Sequence, residues 1–244
     1  MSYNWNWGIL FEQSPEGIGS YLYTLWLGLQ WTVITAAGAW IVALTVGSIL
    51  GVARSLPGRW FSPIAATYVE IFRNIPLLVQ LFLWYFVMPE LLPQSWGLWL
   101  KQLPNAPLYT AILGIGLYMG SRVGEQLRAG IQALPRGQMM AATAIGLTLP
   151  QAYRQVILPQ AYRIILPPLT SEFLNTIKNT SVALTIGLLE LTARARAMQE
   201  FSFQVFEAFT AATVLYLVLN ITVTFAMRAI ESRVAVPGLG VLKK

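Results

Sequence analysis

Charged side chains with binding chemistry occur inside a segment that is otherwise small and apolar. Arg122 and Glu125 lie three residues apart, so they share one face of a helix. Since a charge in hydrocarbon costs about 3 kcal/mol or more, such a charge is by default a candidate site. A guanidinium binds a carboxylate through two parallel hydrogen bonds. We therefore interpret Arg122 as a ligand for a carboxylate, with a salt bridge to Glu125 or Glu172 as the alternative.

A second set of polar residues lies within a later apolar segment. Glu172, Asn175 and Asn179 form a stripe at helical spacing, and their neighbours add an ammonium and a hydroxyl group. Amides and hydroxyls supply neutral hydrogen bonds to a bound solute. The two sets together give the candidate residues of a substrate pathway: Arg122, Glu125, Glu172, Asn175, Lys178, Asn179 and Thr180.

A third polar cluster, Glu70, Arg73 and Asn74, has the same spacing but a different interpretation. It lies near the predicted end of an apolar segment, where charges of opposite sign neutralise one another. We expect Glu70 and Arg73 to pair and hold helices in register, which is a structural role.

The composition indicates that these segments lie in a lipid membrane. Of the 244 residues, 56% are hydrophobic and 11% are charged, whereas soluble domains average about 25% charged residues. The chain contains no cysteine and no histidine. Disulfides, thiol catalysis and the usual zinc sites are therefore excluded, and we expect no metal and no cofactor.

Hydropathy predicts an all-α transmembrane fold with about five membrane-spanning helices. A span needs about 20 apolar residues, and five segments qualify: residues 21–52, 64–87, 108–127, 164–189 and 206–227. The intervening residues 128–163 are too polar to span, and residues 190–204 are expected to form a charged loop. The predicted organisation is an external segment at 1–19, a transmembrane domain at 20–230 and a cytoplasmic tail at 231–244.

Basic residues indicate the orientation, since they concentrate on the cytoplasmic side of membrane proteins. With the N-terminus outside, the outer segments hold only Lys101, Arg194 and Arg196. The inner segments then hold Arg54, Arg59, Arg128, Arg136, Arg154, Arg163, Arg228, Arg233, Lys243 and Lys244.

One inner segment predicts a short helix that could dock on another protein. Ala141, Ala142 and Ala144 favour a helix and are small, and Gly146 and Pro150 are expected to end it. An ordinary amphipathic loop helix is the alternative.

This segment resembles the coupling loop of bacterial ABC import permeases. Their pattern is Glu-Ala-Ala, three residues, Gly, nine residues and Ile-x-Leu-Pro. Val156, Leu158 and Pro159 fall in the last part of the pattern, while Met140 stands where the family has Glu. The resemblance implies that the residues coupling the chain to an ATPase are Met140, Ala141, Ala142, Gly146, Leu147 and Pro159.

Other segments resemble the polar amino-acid branch of these permeases, and the glutamate/aspartate permeases in particular. They are residues 4–9 (NWNWGI), 68–80 (YVEIFRNIPLLVQ), 121–131 (SRVGEQLRAGI), 134–138 (LPRGQ) and 178–182 (KNTSV). The resemblance implies an importer of acidic amino acids in a bacterial inner membrane. It also implies three kinds of partner: a second permease subunit, identical or homologous; a dimer of cytoplasmic ATPases; and an external substrate-binding protein.

The absence of several motifs argues against other functions for the chain. The chain has no G-x-x-x-x-G-K-[ST] phosphate loop, so another polypeptide must bind ATP. It also lacks H-E-x-x-H and G-x-S-x-G, which disfavours an intramembrane enzyme. A self-sufficient carrier commonly shows two related halves, and no repeat is visible. A permease for glutamine, arginine or another polar amino acid remains open.

Overall fold

The computed structural model describes residues 3–56 and 61–234. Arg59, one of the basic residues assigned to the inner side, and the basic end of the tail lie outside these residues. Within them the regular structure is helical, apart from one isolated bridge between Gln13 and Ser20, and the predicted all-α class is confirmed. The α-helices are α1 Tyr21–Ser55, α2 Phe61–Asn74, α3 Leu77–Phe82, α4 Met88–Leu91, α5 Gln94–Gln102, α6 Ala106–Gln132, α7 Arg136–Ala144, α8 Leu149–Ala152, α9 Leu158–Asn179, α10 Leu191–Ser202 and α11 Val205–Val234.

Two of these helices, α1 and α11, are long and apolar enough to cross a membrane on their own. A third span is obtained if Phe61–Asn74 and Leu77–Leu91 are taken together as one bent pair. Proline explains the break in the predicted span 64–87, because Pro76 disfavours helical backbone at Ile75. Helices α6 and α9, which carry Arg122 and Glu172, are not among the helices that are apolar enough to be identified as spans. Their role as membrane-spanning helices stays a prediction.

Two segments after residue 150 differ from the expectation. Helix α9 begins at Leu158, before the predicted span, and continues beyond Asn179 as a 3-10 helix, Thr180–Ile186. Residues 190–204, expected to be a charged loop, instead contain α10. The helix forms there because Glu190 caps its first turn and because Leu191 and Met198 are buried.

The described residues divide into two compact units. Unit 1 comprises the described residues of Met1–Trp40, Pro76–Gly116 and Asn175–Val223. Its core includes Leu25, Leu191, Met198 and Ala208. Gly28 of α1 allows the close approach of α10, since a Cβ at this position would lie 2.9 Å from the Cα of Leu191.

Unit 2 takes the described residues of Ile41–Ile75, Leu117–Leu174 and Thr224–Lys244. Leu50, Ala65 and Val69 form a buried cluster in it. Helices α1 and α6 pack closely here because glycine faces valine: a Cβ on Gly47 would lie 2.6 Å from the side chain of Val123. Small residues at such contacts are typical of helices packed in membranes.

Candidate functional site

Arg122 of α6 and Glu172 of α9 form a forked ion pair within unit 2. The guanidinium donates from Nε to Oε2 at 2.7 Å and from Nη2 to Oε1 at 3.2 Å. The side chain of Glu172 is 8% exposed, whereas that of Arg122 is 38% exposed. Arg122 therefore already has a carboxylate partner, yet a large part of its side chain remains accessible.

Glu125 makes a different contact from the one expected, because it does not pair with Arg122. Its carboxylate accepts hydrogen bonds from Arg54 of α1 and from Arg128, whose Nε lies 2.9 Å from Oε1. Of the two salt bridges that the sequence offered for Arg122, the one with Glu125 is therefore wrong and the one with Glu172 is observed. Helical spacing correctly places Glu125 and Arg128 on one face of α6. Arg54, however, is about 70 residues away in sequence, and a local pattern cannot predict a contact at that distance.

The other candidate pathway residues differ in their environments. Lys178 is exposed, and Asn175 and Asn179 are half-buried. Thr180 is fully buried, and its hydroxyl donates to the carbonyl of Ile177 at 2.7 Å. The pathway role of these four residues stays a prediction.

The cluster of Glu70, Arg73 and Asn74 lies on an exposed face of α2. Asn74 Nδ2 donates to Glu70 Oε2 at 3.2 Å. Among residues 3–56 and 61–234, no ion pair joins Glu70 to Arg73, so the expected neutralisation is wrong. This hydrogen bond lies within α2, so the structural role of the cluster between helices stays a prediction.

The docking segment forms the helix that the sequence predicts, and it ends at Gly146 as predicted, whereas Pro150 lies in the first turn of the next helix, α8. Helix α7 is followed by Gly146, whose φ of +88° favours glycine. The amide of Gly146 donates to the carbonyl of Thr143, and the amide of Leu147 to that of Ala142, at 3.0 and 3.1 Å. These two bonds form a Schellman motif, which ends the helix and satisfies its last carbonyls.

This helix and the turn after it expose apolar side chains. Met140 is 63% and Ile145 is 77% exposed, and Ala141 is exposed beside them. Ala142 faces the interior at 3% exposure. Of the remaining coupling candidates, Leu147 and Pro159 are half-buried. Large exposed apolar side chains on a short helix are typical of a surface that another protein covers.

One buried acidic group was missed by the sequence analysis. Glu190 is fully buried and accepts from the amides of Thr192 and Ala193 at 3.0 and 2.8 Å. Tyr216 of α11 donates its hydroxyl to Glu190 at 2.8 Å. Burial raises the pKa of Glu190. Its position directly before a helical stretch was a possible signal, although glutamate is an uncommon N-cap residue.

Comparisons with known proteins support one family. The family described as "Binding-protein-dependent transport system inner membrane component" matches residues 43–236. The glutamate/aspartate import permease protein GltJ of Escherichia coli (strain K12) is 48% identical over 241 residues, covering 98% of each chain. The probable amino-acid ABC transporter permease protein PatM of Vibrio harveyi is 35% identical over 76% of this chain and 80% of its own.

A solved structure agrees with these matches. A chain from the crystal structure of an amino acid ABC transporter with histidines superposes with a TM-score of 0.73 and 29% identity. The match covers 87% of this chain and 95% of that one. From its helical fold, its docking segment and these matches, we conclude that the chain belongs to the family of binding-protein-dependent transport system inner membrane components.

Proposed function

We propose that the chain is the permease subunit of an ATP-driven importer that moves glutamate and aspartate into the cell. The observation that carries this proposal is the similarity to the glutamate/aspartate permease of E. coli, which extends over 98% of both chains. The chain itself performs no chemistry. It converts the movement of its partners into a change in the side of the membrane to which the pathway opens.

Family membership implies a membrane subunit that works with a substrate-binding protein, an ATPase and a second permease subunit. We assign the ATPase contact to α7 and the turn at Gly146. The exposed side chains of Met140 and Ile145 support this assignment, because docking would bury them. Closure of two ATPases around ATP would then draw the coupling helices together and open the pathway outward, and hydrolysis would reset it.

Arg122 is the residue we assign to an acidic substrate. Its guanidinium is held in a forked geometry by Glu172 and remains 38% exposed. A substrate carboxylate can take the place of Glu172 in that fork, since both groups present the same two oxygens. In this scheme Glu172 keeps Arg122 oriented and neutralised while no substrate is bound.

The orientation follows from the basic residues. An external N-terminus puts ten basic residues inside and three outside. The docking segment then lies in the cytoplasm, where the ATPase is, and the segment 1–19 lies outside, where the binding protein delivers substrate. The C-terminal tail, 231–244, would be cytoplasmic.

Uptake by vesicles tests the function directly. The permease is reconstituted with its ATPase and binding protein, and ATP-dependent uptake of labelled glutamate is measured against unlabelled competitors. We expect aspartate to compete strongly, and glutamine and arginine to compete weakly. If glutamine or arginine is the preferred solute, the chain is a permease of the same class with another substrate. If uptake needs an ion gradient and no ATP, the importer assignment is wrong.

A further inference from the structure

A cavity of about 450 Å³ lies within unit 2, where three helices end or begin. The last turn of α1 contributes Arg54, the end of α6 contributes Gln132, and the start of α7 contributes Arg136. Two of these three side chains are guanidinium groups, which are the preferred protein ligands of phosphate.

Positive charge is in excess around this cavity. Glu125 is shared between Arg54 and Arg128, so one carboxylate faces two guanidinium groups. Arg136 is exposed and makes no ion pair within residues 3–56 and 61–234. Three arginines and one glutamate give a net charge of +2, and an anion bound in the cavity would compensate it.

The remaining wall of the cavity is apolar. Ile131, Met139 and Ile157 line it, and Ile157 is only 4% exposed. A free phosphate ion would leave this wall without a partner. A molecule with a phosphate beside a hydrocarbon part would cover both the arginines and the apolar wall.

The place of the cavity along α1 indicates the source of such a molecule. Helix α1 is apolar and long enough to cross the membrane, and Arg54 lies in its last turn. A residue at that point lies near the boundary between the hydrocarbon and the headgroups. Phospholipids present their phosphates at this depth, with their acyl chains directed along the helix.

We propose that this cavity binds the phosphate of an anionic phospholipid through Arg136 and Arg54, with the glycerol and first methylenes against Ile131 and Ile157. Arg54 is partly engaged by Glu125, so Arg136 supplies the larger share of the attraction. None of the candidate pathway residues lines the cavity, and the proposal stands whether or not the transported solute is glutamate.

Lipid retention by the intact permease–ATPase complex tests the proposal. The complex is exchanged into nanodiscs of phosphatidylglycerol or phosphatidylcholine, released, and analysed by native mass spectrometry for tightly bound lipid. We expect one retained phosphatidylglycerol per permease chain and none from phosphatidylcholine. Arg136→Gln should weaken retention about fivefold, the effect of about 1 kcal/mol for one basic residue near an anionic surface.

Arg163→Gln is the matched control, because Arg163 is an exposed arginine of unit 2 that does not line the cavity. Its retention of phosphatidylglycerol should equal that of the unchanged protein. Equal losses in Arg136→Gln and Arg163→Gln would overturn the site and indicate a diffuse surface attraction.

Two further outcomes would also overturn the proposal. Displacement of the lipid by millimolar inorganic phosphate or glycerol 3-phosphate would assign the site to a soluble anion. Unchanged retention in Arg136→Gln, together with loss of the ATPase from the complex, would assign the cavity to the ATPase contact.

Discussion

The carboxylate of Glu172 occupies the guanidinium fork of Arg122, with N–O distances of 2.7 and 3.2 Å. The pair joins α6 to α9 within unit 2, and its two members differ in exposure, with Arg122 the more accessible. Two roles explain this geometry. The ion pair could only hold the two helices together, or Arg122 could bind substrate and pair with Glu172 while no substrate is bound. They make different predictions for substitutions.

If Arg122 binds substrate, Arg122→Gln should assemble normally and retain ATPase activity, because glutamine still donates a hydrogen bond to Glu172. Uptake of glutamate and aspartate should fall by about tenfold or more, since a charged hydrogen bond contributes about 1.5–3 kcal/mol. Uptake of glutamine or asparagine should fall less. Unchanged acidic uptake by a well-assembled Arg122→Gln complex would rule out the binding role.

If the ion pair has only a structural role, Arg122→Ala should destabilise the protein by up to about 3–5 kcal/mol, because Glu172 is left charged and buried. Adding Glu172→Gln should then restore the amount of folded protein, measured by size-exclusion chromatography in detergent. Adding Glu125→Gln should not, since Glu125 is bound to Arg54 and Arg128. Recovery with Glu125→Gln alone would contradict the observed pairing.

Gly146→Asp should abolish transport while the protein stays in the membrane. A Cβ at Gly146 meets no atom within 4 Å, so the chain itself has room for the side chain. The new carboxylate would be buried without a partner in the ATPase groove, which is strongly unfavourable. The measurements are ATPase co-purification and uptake, and normal values of both would reject the docking role.

Two variants control for other effects at Gly146. Gly146→Asn has the same size and a similar tolerance of the positive φ, so its difference from Gly146→Asp isolates the charge. Gly137→Asp places the same side chain in open space at the other end of α7. We expect both controls to lose less ATPase than Gly146→Asp.

A reporter that is active only in the cytoplasm should function when fused after Lys244 and fail when fused at the N-terminus. The distribution of basic residues is the reason. A reporter of the opposite preference, active only outside, serves as the control for expression. The reverse pattern would mean that the orientation is inverted, and activity on the same side at both ends would mean an even number of spans.

Glu190→Ala should destabilise the protein by about 1–3 kcal/mol, because it removes an N-cap acceptor and one of the hydrogen-bond partners of the Tyr216 hydroxyl, another being Thr192. Thermal unfolding in detergent measures the loss. Glu200→Ala on the same helix is the control: its ion pair with Arg196 is exposed, and its removal should cost about 0.5 kcal/mol or less. Equal losses of stability in Glu190→Ala and Glu200→Ala would show that the N-cap at Glu190 contributes no more than an exposed ion pair.

The pH dependence of stability should also report on Glu190. Burial raises its pKa in the folded protein above that of the unfolded chain, so the folded state binds the proton more tightly. Its contribution is therefore fully present below the unfolded pKa and is lost as pH rises through the folded pKa. The Tm of the unchanged protein minus that of Glu190→Gln should increase as pH falls from neutral towards about 5. A pH-independent difference would contradict the raised pKa.

The sequence alone determined that lipid surrounds much of this protein, that its class is helical and that a short helix ends at Gly146. These properties follow from local patterns: the apolar content of a segment, helical spacing, and a glycine at Gly146 that allows the positive φ required to end the helix. Its charged residues were also recognised as candidates, because a charge in an apolar segment is conspicuous wherever the segment lies.

The choice between Glu125 and Glu172 as the partner of Arg122 was decided only by the tertiary structure. Glu125 lies one helical turn from Arg122 but binds Arg54, and Arg122 binds Glu172, 50 residues away. Local spacing shows which side chains share a helix face, whereas an ion pair depends on which helices pack together. That choice is made by contacts such as Gly47 against Val123, which are distant in sequence and leave no periodic signal along the chain.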